Sequence, residues 1–240
     1  MDSRTEELAR NLEAVRAKIT AAEKASGREP GSVRLLPVTK FHPAEDIARL
    51  HELGVTAVGE NREQEAREKA HTLPGVEFHM IGQIQSKKAN AVGRWASAVH
   101  SIDSLKLATG INRGIGLALE RGDRVLTGER RESVPCFIQI SADGDTARGG
   151  ALKEDVPAIA EALLEGEHVQ FAGLMVVPPL DANPARVFSQ TRQYCDELAQ
   201  KYGVELQLSA GMSGDMDVAI AHGSDCVRVG TDILGARPLA

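Results

Sequence analysis

The sequence predicts an α/β protein of the (β/α)₈ class, a TIM barrel closed by one extra N-terminal helix. Eight short apolar segments alternate with amphipathic segments of helical spacing, which is typical of parallel strands joined by helices. The length of 240 residues is close to that of one such barrel. No linker or low-complexity segment divides the chain, so we expect residues 1–240 to form a single domain. A doubly wound open sheet is the alternative.

The first half of the chain predicts a leading helix and four strand-helix units. Ser3 starts a capping-box pattern, and apolar residues then recur on one helical face to the end of the predicted helix. The predicted leading helix covers residues 3–25, and the four strands cover 33–38, 55–59, 76–82 and 98–102. Polar residues after three of these strands are suited to cap helices. These predicted caps are Asn61, Ser86, and Asp103 or Ser104.

The second half predicts four more strands and two notable loops. The strands cover residues 134–141, 169–177, 204–209 and 226–229. Residues 120–132 are highly charged and indicate an exposed insertion, whereas the glycine-rich segment 142–150 is a candidate mobile lid or a simple surface loop. Residues 231–240 are too few for a full covering helix. We therefore expect the N-terminal helix to fill the last position in the helical ring.

Composition excludes several classes of protein. The net charge is −6, and no lysine- and arginine-rich block is interleaved with aromatic residues, so a nucleic-acid partner is not expected. The sequence contains neither an apolar leader nor a segment long enough to cross a bilayer, which predicts a cytoplasmic protein without a membrane partner. Cys136, Cys195 and Cys226 are widely spaced, which argues against disulfides and structural zinc and indicates reduced core thiols.

A lysine and two glycine-containing loops form the candidate site. Lys40 ends the first strand, and residues 209–215 and 228–232 follow the last two strands. In a parallel barrel all three positions face the same edge, where phosphate is commonly bound by the last two loops. A phosphate anchor beside a lysine suggests a phosphorylated aldehyde held as a Schiff base, with Arg228 as the cation that favours a neutral amine. A solvated lysine, plain turn glycines and a salt-bridged Arg228 are the alternatives.

Five sequence blocks, in order along essentially the whole chain, resemble the pyridoxal 5′-phosphate (PLP) homeostasis proteins, the YggS/PROSC family. Together they are much more specific than any one of them. The blocks are residues 36–40 (LPVTK), 59–65 (GENRxQE), 78–88 (FHMIGxIQSxK), 208–213 (LSAGMS) and 227–235 (VRVGTDILG).

This resemblance implies a barrel like the N-terminal domain of alanine racemase, with Lys40 bonded to PLP as a Schiff base. It also implies a carrier or buffer of the cofactor, without turnover, that transiently contacts PLP-dependent apo-enzymes. The cofactor-binding residues that it implies are Lys40, Asn61, Met80, Ile81, Ser209, Met212, Ser213, Arg228, Gly230 and Thr231. Two departures stand out, since Arg148 occupies a position that is often lysine and Ala210 replaces a methionine.

Two enzyme classes are the alternatives. A racemase needs a second base opposite Lys40, which alanine racemases take from a tyrosine of a separate domain of the partner subunit. Tyr194 and Tyr202 are predicted on or just after a covering helix, while His42 and His79 could serve only if they are not packing residues. A Schiff-base aldolase, the less favoured class, normally has its lysine on a later strand. Without a dimerisation domain, we expect a monomer.

Overall fold

Eight parallel strands form one sheet in the computed structural model, which describes residues 2–125 and 132–236. The strands are β1 (Arg34–Pro37), β2 (Ala57–Glu60), β3 (Glu77–Met80), β4 (Ala98–Ile102), β5 (Val134–Ile140), β6 (Val169–Val176), β7 (Gln207–Ser209) and β8 (Cys226–Val229). Their order is β1-β8-β7-β6-β5-β4-β3-β2, so each strand lies beside its sequence neighbours and β8 returns to β1. This order, with every described pair parallel, confirms the predicted barrel class.

The barrel closes between β1 and β2 through a short contact. Described pairing across this seam consists of a single parallel bridge between Val38 and Gly59, supported by a 3.0 Å hydrogen bond from the amide of Thr39 to the carbonyl of Gly59. By contrast, β5 and β6 are paired over seven register positions, from Val134 to Ile140. The seam therefore has few ladder hydrogen bonds, and it lies directly before Lys40.

Nine helices surround the barrel in the described part of the chain. They are α1 (Ser3–Ala25), α2 (Ala44–Glu52), α3 (Glu63–Thr72), α4 (Ala89–Val92), α5 (Leu105–Arg121), α6 (Val156–Glu165), α7 (Pro184–Tyr202), α8 (Met216–Ala221) and α9 (Thr231–Leu234). The helix α9 has only four residues, and α1 packs against α8, α9 and α2. The N-terminal helix thus fills the last position in the helical ring, as the sequence predicts.

Side chains of α1 form hydrogen bonds to α9 and α2, two of the helices against which α1 packs. The Arg4 guanidinium donates to the carbonyl of Leu234 at 2.9 Å and to the Asp46 carboxylate at 2.7 Å. The Asn11 amide donates to the carbonyl of Ile233, also at 2.9 Å. Because these acceptors belong to α9 and α2, the ring is closed by specific hydrogen bonds as well as by apolar packing.

Several predicted helix starts are wrong by one or two residues. Asp2, rather than Ser3, is the N-cap of α1, since its carboxylate accepts from the amide of Thr5 at 2.7 Å. Arg62 occupies the N-cap position of α3, so Asn61 is not the cap. In contrast, Ser104 caps α5 as predicted, and its hydroxyl accepts from the amide of Leu107.

The predicted helix cap at Ser86 and the predicted exposed insertion at residues 120–132 both need correction. Ser86 begins a 3₁₀ turn, Ser86–Lys88, rather than capping a long helix, and only the four residues of α4 follow it. In the predicted exposed insertion, Arg124 is buried and donates to the carbonyls of Gly93 and Ala96 at 2.6 and 2.9 Å. That part of the prediction is wrong, and residues 126–131 lie outside the described chain.

The cysteines are buried thiols. Cys136, Cys195 and Cys226 are free, and burial raises the pKa of all three, that of Cys195 to about 11. Among the described residues, no helix is both long and apolar enough to cross a membrane. Nor do histidine, cysteine and acidic side chains cluster as a metal site within residues 2–125 and 132–236.

Candidate functional site at the barrel mouth

A cavity of about 240 Å³ lies at the carboxyl ends of β1, β7 and β8, and we call it the lysine cavity. It is lined by Val38, Lys40, His42, Met212, Ser213, Gly214, Arg228, Gly230, Thr231 and Gly235. Six of the ten cofactor-binding residues that the sequence predicts therefore line one cavity. Lys40, Arg228 and both late loops share this mouth, as a parallel barrel requires.

Lys40 stands in a tight turn between β1 and α2. The next residue, Phe41, has a φ of 67°, the one positive φ among the described non-glycine residues. Side chains other than glycine rarely adopt this left-handed conformation, which costs about 1–2 kcal/mol. The amide of His42 donates to the carbonyl of Thr39 at 3.1 Å, which completes the turn. The backbone thus turns sharply directly after Lys40.

The loop after β7 is a compact turn whose shape depends on glycine. Gly211 has a φ of 94°, and a Cβ there would lie 2.6 Å from the Cβ of Ala219. The Asp215 carboxylate accepts the Met212 amide at 2.7 Å, and the Asp215 amide donates to the Met212 carbonyl at 3.1 Å. Asp215, and not Ser213, is the N-cap position of α8. The hydroxyl of Ser213 is therefore not used as a cap and lines the cavity.

Backbone amides of the two late loops are suited to an anion. Within the described chain, the hydrogen bonds found for these loops do not use four amides that border the cavity. These are the amides of Ser213, Gly214, Gly230 and Thr231. Because α8 and α9 span only six and four residues, the amides themselves matter more here than any helix dipole. A side chain at Gly230 would press against the carbonyl of Val38, at 3.3 Å.

Arg228 reaches the cavity from the interior of the barrel. It is only 4% exposed, and its guanidinium donates to the Ser209 hydroxyl at 2.7 Å and to the Val176 carbonyl at 3.1 Å. Burial lowers its pKa below the ordinary arginine value, but a guanidinium still stays charged near neutrality. The alternative of a salt-bridged Arg228 is not what the structure has, since both of these acceptors are neutral oxygens.

A chain of buried hydrogen bonds continues from Arg228 across the barrel. His100 Nδ1 lies 2.8 Å from the Ser209 hydroxyl oxygen, and His100 Nε2 lies 3.1 Å from His79 Nδ1. Since arginine can only donate, the Ser209 oxygen accepts from Arg228, and the same hydroxyl can either donate to or accept from His100. The tautomer of His100 sets which atoms donate in its contacts with Ser209 and His79. Burial lowers the pKa of His100 well below 6.5, which agrees with a neutral ring.

Asn61 and Ile81 line a neighbouring cavity, also of about 240 Å³, under the loop after β5. This loop cavity also includes Gln83, Gln139 and Arg148. The Arg148 guanidinium binds the carboxylates of Asp143 and Asp145 within its own loop. The arginine that departs from the family pattern is thus already paired with two acidic side chains.

The structure separates the last two predicted residues from both mouth cavities. Met80 is 1% exposed and belongs to the hydrophobic core. Ser209 is fully buried below the lysine cavity, where its hydroxyl is engaged with Arg228 and His100. Neither side chain lines the lysine cavity or the loop cavity.

Sequence reasoning missed a buried cluster behind Lys40. The amine of Lys69 lies 2.7 Å from carboxylate oxygens of both Glu60 and Glu65, and the Thr39 hydroxyl donates to Glu60 at 2.6 Å. Burial raises the pKa of Glu60, although Lys69 and Thr39 act in the opposite direction. The spacing of Glu65 and Lys69, four residues apart on a helix, was the available signal.

The candidate second bases for a racemase lie in unsuitable places or are engaged. The hydroxyls of Tyr194 and Tyr202, on α7, lie 3.3 and 3.4 Å from the carbonyls of Lys153 and Pro157. His79 takes part in the buried chain described above, as expected of a packing histidine. His42 does line the lysine cavity, and burial lowers its pKa although Asp46 is nearby.

Known proteins are similar to this chain in sequence and in fold. A family model for the alanine racemase N-terminal domain matches residues 10–238. A pyridoxal phosphate homeostasis protein of Corynebacterium glutamicum is 56% identical over 226 residues, which cover 94% of this chain and 100% of that protein. The structure of PipY from Synechococcus elongatus with PLP bound has a TM-score of 0.78 and 32% identity, covering 95% of this chain and 100% of that one.

The crystal structure of alanine racemase from Corynebacterium glutamicum has a TM-score of 0.69 at 16% identity, and it is similar in fold alone. It covers 98% of this chain and 62% of the racemase. Fold and mouth together define a parallel barrel of the racemase type with a lysine after its first strand. The chain belongs to the alanine racemase N-terminal domain family and, within it, to the pyridoxal phosphate homeostasis proteins.

Proposed function

We propose that residues 1–240 act as one cytoplasmic, monomeric domain that binds PLP covalently on Lys40 and serves as its carrier or buffer. The single observation that supports this most is the lysine cavity, where an amine, a buried guanidinium and two amide-rich loops meet. The PLP-bound relative PipY, at 32% identity over nearly the whole chain, supports the choice of ligand.

The residues of the lysine cavity fit the chemistry of PLP. The cofactor supplies an aldehyde, which can bond to an amine with loss of water, and a phosphate. Lys40 would provide the amine, and the amides and hydroxyls of Ser213 and Thr231 would hold the phosphate without a large net positive charge. Arg228 would face the ring nitrogen, where a permanently charged donor keeps that nitrogen unprotonated.

A carrier role fits the rest of the mouth better than a racemase role. Two-base chemistry needs a second group that can take and return a proton on the far side of the ligand. Of the candidates, His79 is held in the buried chain, and both tyrosine hydroxyls contact carbonyls of the outer layer. His42 is the candidate that lines the cavity, so it is the residue to test. Transient contact with PLP-dependent apo-enzymes would then release the cofactor to its users.

Borohydride reduction after incubation with PLP tests the covalent site. We expect mass spectrometry of the digested protein to find the fixed cofactor on the peptide that contains Lys40. Lys40→Arg should abolish this modification, while Lys106→Arg, which alters an exposed lysine at the start of α5, should leave it unchanged. Labelling spread evenly over surface lysines, or unchanged in Lys40→Arg, would refute the assignment of Lys40.

Two measurements separate a carrier from an enzyme. A carrier that is mixed with a PLP-dependent apo-enzyme should restore its activity faster than a carrier separated from it by a dialysis membrane, through which released cofactor must diffuse. It should not exchange the α-proton of amino acids with deuterated water at a catalytic rate. Rapid, saturable exchange that is lost in His42→Phe would support the racemase instead.

A further inference from the structure

The lysine turn follows directly on a weakly paired seam of the barrel. Described pairing between β1 and β2 is the single Val38–Gly59 bridge, and Lys40 follows it by two residues. Where ladder hydrogen bonds are few, side chains must fix the direction of the strand end. The turn therefore needs support from outside the sheet.

Side chains of β2 and α3 provide that support. The Lys69 amine donates to the Thr39 carbonyl at 3.0 Å and to carboxylate oxygens of Glu60 and Glu65, both at 2.7 Å. Glu60 in turn accepts from the Thr39 hydroxyl at 2.6 Å. The residue before Lys40 is thus bound through both its carbonyl and its side chain.

The residue after Lys40 is bound by the same cluster. The Phe41 amide donates to Glu65 at 2.7 Å, and the accepting oxygen, Oε1, is the one that also accepts from Lys69. Phe41 is in the left-handed region, which a phenylalanine does not adopt readily without such a partner. In addition, the Arg62 guanidinium lies 4.9 Å from the Phe41 ring centre. Both peptide neighbours of Lys40 are therefore held from α3.

We infer that Lys69, Glu60 and Glu65 form a positioning cluster that fixes the turn at Lys40 and aims its amine into the lysine cavity. The inference deepens the proposed function, because it assumes that this amine bonds the aldehyde of PLP. None of the three residues lines the lysine cavity, so they act through Thr39 and Phe41. Their burial distinguishes them from an ordinary surface ion pair, since the side chains of Lys69 and Glu60 are only 9% and 0% exposed.

Glu65 gives the sharpest test, because its side chain is 24% exposed and its loss leaves the Lys69–Glu60 pair in place. Glu65→Ala removes the acceptor of the Phe41 amide, whereas Glu65→Gln keeps an oxygen in the same position. Glu68→Ala is the matched control, since it removes an exposed carboxylate from the same helix.

The first readout needs no cofactor. In the unliganded protein, Glu65→Ala should speed hydrogen exchange at the Phe41 amide by about tenfold or more, as expected for loss of a charge-assisted hydrogen bond. The second readout is the rate of borohydride-trapped attachment to Lys40. This rate should fall by roughly tenfold to 100-fold, because small errors in aim are costly for bond formation. Affinity for pyridoxine phosphate, which has no aldehyde, should stay within about twofold of wild type.

Glu65→Gln and Glu68→Ala should match wild type in all three measurements to within about twofold. The inference is overturned if Glu65→Ala leaves Phe41 exchange and the attachment rate unchanged, or if pyridoxine phosphate affinity falls in parallel with attachment. If wild type itself fails to attach at Lys40, the proposed function is wrong, while Phe41 exchange still decides whether the cluster holds the turn. If Glu65→Ala is unfolded, exchange in the near-isosteric Glu65→Met decides instead.

Discussion

Replacing Ser209 by alanine tests how strongly the buried hydrogen bonds stabilise the barrel. The hydroxyl of Ser209 is fully buried and lies 2.7 Å from Arg228 Nη1 and 2.8 Å from His100 Nδ1. Alanine removes one oxygen and leaves two buried polar groups without this partner. Each loss costs about 1–3 kcal/mol, and more where the group is charged. Allowing for relaxation of Arg228 toward the Val176 carbonyl, we expect the free energy of unfolding to fall by about 2–4 kcal/mol.

Ser101 provides a matched control within the same sheet. It is also fully buried, on β4, but its hydroxyl has no hydrogen-bond partner in the described part of the chain. Ser101→Ala should therefore change the free energy of unfolding by no more than about 0.5 kcal/mol, or should stabilise the protein slightly. Urea unfolding of both variants without cofactor, followed by circular dichroism, compares them directly.

The reasoning would be refuted by either of two results. Ser209→Ala could unfold at the same urea concentration as wild type, which would mean that the buried hydrogen bonds contribute nothing net. Alternatively, Ser101→Ala could lose as much stability as Ser209→Ala, and the loss would then reflect packing alone. Ser209→Thr, which retains the hydroxyl, should keep more of the stability than Ser209→Ala if overpacking is small.

Two further predictions concern the mouth and the core. Gly211→Ala should destabilise the protein by about 2 kcal/mol or more in urea unfolding, because the left-handed φ and the 2.6 Å approach to Ala219 both oppose a Cβ. Gly27→Ala, with a φ of 68° and open space around it, should cost only about 1 kcal/mol; equal losses would contradict this account. As pH falls below 6.5, unfolded His100 gains a proton that the folded ring resists, so stability should fall by up to about 1.4 kcal/mol per pH unit. Glu60 acts in the opposite direction, because burial raises its pKa. The contribution of His100 is therefore measured as the difference between wild type and His100→Gln in the slope of unfolding free energy against pH. A difference of zero would show that His100 is not protected from protonation.

The sequence predicted the barrel and the residues at its mouth because both follow from chain order. In a parallel barrel every strand ends at the same edge, so a lysine after β1 and glycine loops after β7 and β8 must converge there. The bounds of β4 and β8 agree with the predicted segments 98–102 and 226–229. The role of each residue at the mouth stays a prediction until a ligand is bound.

The features of the site that the sequence does not predict depend on side-chain direction and on contacts between residues far apart in the chain. The sequence groups Ser209 with the residues predicted to hold the phosphate, but strand alternation directs its hydroxyl into the barrel, toward His100. Its two hydrogen bonds join strands β7, β8 and β4, and no local pattern reveals such a contact. Lys69 gave a weak signal as the partner of Glu65 on one helix face, but its contact with the carbonyl of Thr39 depends on how α3 packs.

The hydrogen bonds between α1 and α9 have a consequence for how the polypeptide matures during translation. The apolar face of α1, with Leu8, Leu12, Val15 and Ile19, is synthesised well before α8 and α9, which α1 covers in addition to the early helix α2. Until α8 and α9 are made, this face lacks most of its native cover, which is a condition under which nascent chains recruit chaperones or associate with one another. Completion of the ring therefore waits for contacts between residues more than 200 positions apart, such as Asn11 with Ile233.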